Sequence, residues 1–193
     1  MLKRIHAVTF GAFVVAALVT LPASSQAQAE HANGGLGFHS TAAPVGLRWW
    51  TAGQKIGVDL GLGFTAESAA DDDYPDEKLN SWAVDVGVPF VLKSWDRVHF
   101  MFRPGLLYQS QQVTATTFPA PFDTEDRTTF TVSGELEAEV FLADNVSVSA
   151  SHGVGFTSIN PPGSGDNITS FRTIGNNFTE VGFHIYVFGG GAH

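Results

Sequence analysis

The sequence predicts an all-β chain, an eight-stranded antiparallel up-and-down barrel that crosses a membrane and follows a cleaved leader. Three features predict it. Apolar residues recur at every second position through most of the chain, the period of a strand with two unlike faces. The connections between these segments alternate between short and long. The face opposite the apolar one carries glycine, serine, carboxylates and arginine, with no lysine inside a strand.

The leader comes first. Lys3 and Arg4 are followed by an apolar core of fifteen, residues 7–21, and Ala27-Gln28-Ala29 forms an A-x-A cleavage pattern. A transmembrane helix needs about 20 apolar residues, so this stretch reads as a signal peptide removed after Ala29. The domains are then 1–29, signal peptide, and 30–193, barrel. Loss of Lys3 and Arg4 takes the formal charge from -9 to -11. An acidic chain without a basic cluster argues against nucleic acid as a partner. With zero cysteines, a disulfide framework, thiol catalysis and cysteine metal sites are excluded. No later run is long enough for a membrane helix, so residence in a bilayer requires a closed barrel.

The strands follow in order. "GGLGFHS" (34–40) and "VGLRWWT" (45–51) form a short first hairpin around "TAAP"; the alternative is one strand from Leu36 to Thr51, bulged at Pro44. "KIGVDLGLGFT" sets Ile56, Val58, Leu60, Leu62 and Phe64 against Gly57, Asp59, Gly61 and Gly63. "SWAVDVGVPFVL" sets Trp82, Val84, Val86 and Val88 against Ala83, Asp85 and Gly87. "VHFMFRPGLLYQ" sets Val98, Phe100, Phe102, Leu106 and Tyr108 against His99, Met101, Arg103 and Gly105. "TFTVSGELEAEVFL" opposes Phe130, Val132, Leu136 and Val140 to Thr131, Ser133, Glu135, Glu137 and Glu139. "VSVSASHGVGF" alternates valines with serines and glycines. "TEVGFHIYV" ends the series, with Val181, Phe183, Ile185 and Val187 against Glu180, Gly182, His184 and Tyr186. Runs of about 9 to 11 residues suit a tilted membrane strand.

"AGQ" (52–54), "KSWDR" (93–97) and "ADN" (143–145) are short connections. Residues 66–80, 110–127 and 158–170 are long and polar. Membrane barrels sort their loops in this way, short on one side and long on the other.

Alternation alone leaves the inward face open, since a soluble lipocalin-like barrel also alternates. The composition of the polar face favours a narrow filled lumen. It holds Arg48, Asp59, Asp85, His99, Arg103, Glu135, Glu137, Glu139, Glu180 and His184, with small residues between them. Soluble surfaces use lysine freely, whereas a narrow interior favours arginine forks and paired carboxylates. Large aromatics gather near strand ends, and Trp49, Trp50, Trp82, Trp95, Tyr108, Tyr186 and Phe188 read as girdles at the two lipid–water boundaries.

On the leader, "VGLRWW…KIGVDLGLGF", "FRPGLLY" and the terminal "VGFHIYVF", the chain resembles the small outer-membrane β-barrels of Gram-negative bacteria, the OmpA/OmpX-like group. The resemblance implies an eight-stranded barrel in the outer membrane, placed there by the assembly machinery, with outer-membrane lipids as its surroundings and a monomeric state. The chain departs from that pattern at its end: "GGGAH" follows Phe188, and Phe188 sits on the parity opposite to Val187.

Candidate chemistry is sparse. Glu135, Glu137 and Glu139 share one face about 6.5 to 7 Å apart. They fit a lumen charge network with Arg48 and Arg103 better than a glycosidase pair. Asp71, Asp72, Asp73, Asp76 and Glu77 lack the spacing of a calcium loop. The histidines have no metal-ligand spacing, and Ser151 and His152 point to opposite faces of a strand. No catalytic residue, metal or cofactor is assigned. Phe118 and Phe122, in "FPAPF", are a possible loop contact for an unidentified external partner. The expected role is non-enzymatic, structural or interaction, with acidic loops outside the cell. One alternative is a small solute or ion conductor; another is a soluble periplasmic binder of a lipophilic ligand.

Overall fold

The computed structural model describes residues 33–38, 40–71, 74–115, 123–161, 165–172 and 179–189. The leader, Phe118 and Phe122 lie outside the described residues. Among them every regular element is a strand: β1 (Gly34–Phe38), β2 (Val45–Trp50), β3 (Gly57–Asp71), β4 (Tyr74–Gly87), β5 (Phe90–Trp95), β6 (Val98–Ala115), β7 (Asp123–Ala143), β8 (Val146–Asn160), β9 (Ile168–Arg172) and β10 (Thr179–Phe188). These ten segments make eight barrel strands. β4 and β5 are halves of one, interrupted at Val88–Pro89. The register along β6 is kept across the break, with Gly87 opposite Gly105 and Phe90 opposite Phe102. Pro89 lacks the N–H that would continue the ladder. β9 and β10 are likewise halves of the last strand, both paired with β8.

Every neighbour pairs antiparallel, and β10 pairs β1 to close the ring. The short hairpin reading of residues 34–51 holds: β1 and β2 are two strands paired from Gly34–Trp49 to Phe38–Val45. At one end the strands are joined by the turns at Asp96–Arg97, Asp144–Asn145 and residues 51–56. In the last of these, Gly53 and Gln54 take positive φ of 84° and 50°, and the Thr51 carbonyl accepts from the Gln54 N–H at 2.9 Å.

The opposite end differs from the sequence expectation. Residues 66–80 and 110–127 read as loops, yet β3 continues to Asp71, β4 starts at Tyr74, β6 reaches Ala115 and β7 starts at Asp123. Ladder pairing uses backbone groups alone, so a hairpin outlasts the apolar alternation that reveals it in sequence. The polar extensions stand above the ring as two-stranded ribbons.

The faces are sorted inside out relative to a soluble barrel. Val58 is 49% exposed and Val86 and Ile185 are each 39% exposed, while Glu137 is 3% exposed. Trp49, Trp82, Trp95, Tyr108 and Phe188 point outward. Trp50 and Tyr186 do not: each is 2% exposed, inside the barrel. Their assignment to the girdle is therefore corrected. Each lies two residues beyond an inward group, Trp50 after Arg48 and Tyr186 after His184, and a strand returns to the same face every second residue. Phe188 reaches the outer face through a bulge. Gly34 pairs with Phe188 and Gly35 with Tyr186, so Val187 is the extra residue, and the parity flips behind it.

The β1–β10 seam is tight. A Cβ on Gly37 would collide with the carbonyl of Phe183, a backbone atom that cannot rotate away. Gly37→Val is expected to cost about 1–3 kcal/mol of barrel stability. The neighbouring outward Leu36→Val should cost less, and urea-unfolding midpoints of the two variants in detergent compare them.

Candidate functional site

The lumen is the chemically distinctive part of the molecule. β2 lies across the ring from β7, and Arg48 reaches from one to the other. All five of its N–H groups donate. Nε and Nη2 donate to the two oxygens of Asp59, both at 2.8 Å. Nη1 and Nη2 donate to the two oxygens of Glu137, both at 2.9 Å. Nη1 also donates to Glu139 Oε2 at 3.3 Å. A planar fork meeting two carboxylates bidentately is the arrangement for which arginine is suited and lysine is not.

Arg103 forms the second node, one strand pair further toward the long hairpins. Its Nε donates to Asp59 Oδ2 at 2.8 Å, its Nη2 to Asp85 Oδ1 at 3.1 Å and its Nη1 to Glu135 Oε1 at 3.4 Å. Asp59 thus bridges the two guanidiniums. Space for Arg103 comes from Gly87: a Cβ there would overlap the guanidinium. Hydroxyls complete the layer. Ser133 and Ser151 donate to the two oxygens of Glu135 at 2.7 and 3.1 Å, and Ser147 donates to Glu139 Oε1 at 2.5 Å.

Beneath this layer, toward the short turns, sits an apolar plug of Trp50, Met101, Phe141 and Tyr186, with Val91 packed against it. Gly57 leaves room for the Trp50 ring and Gly35 for the Tyr186 ring. The plug is wired to the charges above it. Trp50 Nε1 donates to Tyr186 Oη at 3.2 Å, and Tyr186 Oη donates to Glu139 Oε1 at 2.7 Å. The Arg48 guanidinium lies 5.7 Å from the Trp50 ring centre, within cation–π range. His99 packs its ring edge on Phe141 and Trp50, and His184 lies beside Tyr186.

The structure brings together Arg48, Asp59, Asp85, His99, Arg103, Glu135, Glu137, Glu139 and His184, all buried. Glu180 is half-buried on the same face, opposite Ser151. Met101 and Phe141 were legible by parity, since Met101 follows His99 and Phe141 follows Glu139 at steps of two, but an inward apolar residue carries no charge to single it out. Ser151 is buried and His152 exposed, so no dyad forms between them. Among the described residues no group of three or more His, Asp or Glu is arranged to hold a metal ion. No family model matches the chain, and no match is found among curated proteins or solved structures.

Six carboxylates, Asp59, Asp85, Glu135, Glu137, Glu139 and Glu180, face two guanidiniums in this layer. Removal of a cation therefore differs from removal of an anion. Arg48→Met strands Asp59 and Glu137 and is expected to cost about 3–5 kcal/mol. Glu137→Gln relieves like-charge repulsion as it weakens one fork, for a cost of at most about 2 kcal/mol. Equal costs in urea unfolding would contradict this asymmetry.

Proposed function

We propose that the chain is an integral outer-membrane β-barrel with a structural or interaction role, exported by the leader 1–29, monomeric and without enzymatic activity. One observation carries the reading: the apolar side of every strand faces out of the ring while the charges face in. The outward run on β6 from Val98 to Tyr108 covers about 33 Å of strand. A tilt of about 40° reduces this to about 25 Å along the axis, the height of the apolar band of membrane barrels. Trp49, Trp95 and Phe188 at the short-turn end and Trp82 and Tyr108 at the other suit the two interfacial girdles. The Trp82 and Tyr108 rings are 5.1 Å apart. In water the same face would be an apolar patch around the whole circumference, far beyond what soluble monomers expose. β1 pairs β10 from Gly34–Phe188 to Phe38–Phe183 and closes the ring, which suits a monomer in lipid.

The lumen favours the non-conducting reading over the porin-like one. A plug of three aromatics and a methionine under a cross-lumen salt-bridge layer fills the bore at that level. Nor does the interior suit a lipophilic ligand, because its apolar side chains are packed on one another.

Leu60→Arg places a cation at mid-height on the outer face. In a bilayer it is expected to cost about 2–4 kcal/mol; in a soluble barrel it would be neutral or raise solubility. Cell fractionation, and gel mobility with and without boiling, follow where the protein goes and whether it folds. Recovery of a folded, detergent-free soluble protein would overturn the reading. Planar bilayers are expected to stay silent for the wild type, and steady conductance altered by Arg103→Ala would favour the conductor instead.

A further inference from the structure

Above the salt-bridge layer the lumen opens into a cavity of about 660 Å³ at the long-hairpin end. Its chemistry differs from the layer below. The inward parity of β7 continues upward from Glu135 through Ser133, Thr131 and Thr129 to Arg127. On the last strand Arg172 lies opposite Gly155, and on β6 Gln109 continues the parity of Arg103. Hydroxyls and amides thus line the wall, and Arg127 and Arg172 are its only charged lining groups among the described residues. Among the described residues no carboxylate lines it, in a chain whose formal charge is -9. Neither arginine forms an ion pair with a described residue, in contrast to Arg48 and Arg103, whose forks are filled by carboxylates. At the floor, Thr131 Oγ1 and Thr157 Oγ1 are 3.0 Å apart.

We propose that this cavity is a binding site for an anionic, hydroxyl-rich ligand of about disaccharide size, an acidic sugar. The volume falls within the range of about 300–1,000 Å³ typical of small-molecule sites. The Arg127 and Arg172 forks would take the ligand's carboxylates, and the Thr and Gln wall its hydroxyls. The carboxylate layer beneath orients the ligand, repelling its charge toward the rim and away from the sealed end. This goes beyond a structural role and does not depend on where in the cell the barrel resides.

The test is calorimetric titration of the purified full chain in detergent micelles with digalacturonate and with its uncharged dimethyl ester. Saturable one-to-one binding of the acid is expected, with the ester weaker by about tenfold. In R127Q/R172Q the acid should weaken by about tenfold, to the level of the ester, while the ester is unchanged. T131V/T157V should weaken both ligands. Unboiled gel mobility shows that each variant is folded. The proposal is overturned by a wild type that binds neither compound, by acid and ester of equal affinity, or by a folded R127Q/R172Q that holds the acid as tightly as the wild type.

Discussion

The pairing of Arg48 with Asp59 and Glu137 across the full width of the lumen is the constraint on which the rest depends. Eight strands enclose a space just wide enough for side chains to fill, and whatever fills it must satisfy its own polar groups. A single guanidinium with all five donors engaged ties β2 and β3 to β7. Arg103 ties β3, β4 and β7 through the shared Asp59 and through Asp85 and Glu135. The ring is therefore braced from within. That matters because its outer face is apolar and exposed, with no second protein layer packed against it among the described residues.

The same constraint explains three glycines on the inner face of the wall. A guanidinium and two large aromatic rings can enter so narrow a tube only where the facing strand has no side chain. Gly87 gives way to Arg103, Gly57 to Trp50 and Gly35 to Tyr186. The alternation of large apolar with tiny residues in "KIGVDLGLGF" thus records two different environments: a featureless apolar exterior and an interior filled from the other side.

Much of this was legible in the sequence, because a period of two fixes the face of every residue once one residue is placed. Arg48, Asp59, Arg103 and the Glu135–Glu137–Glu139 series could be grouped without coordinates, as could the short turns at one end. What parity could not supply is where an aromatic near a strand end points when composition suggests a girdle. Trp50 and Tyr186 obey the parity and defeat the composition. Phe188 does the reverse, since the extra residue Val187 resets the face behind it, and a bulge leaves no mark in the alternation of two neighbouring apolar residues. The heights of the hairpins were hidden for a different reason. Where the apolar alternation stops, the sequence carries no period, and the backbone ladder continues unannounced.

The lumen has a gradient along its axis, and β7 displays it in one strand. From the short-turn end its inward residues run Phe141, Glu139, Glu137, Glu135, Ser133, Thr131, Thr129 and Arg127. Bulk and charge are concentrated where tight turns hold the strands; small hydroxyl groups come where the ladders rise as ribbons. The packed plug and the salt-bridge layer thus sit at one end, and the open, hydrogen-bonding space at the other. Substitutions at the mouth leave the Arg48 and Arg103 nodes intact, so that end is free to vary in chemistry on a scaffold braced elsewhere. A barrel that had to conduct would need the opposite arrangement, with a continuous lining of small polar residues and no layer in which a guanidinium spans the bore.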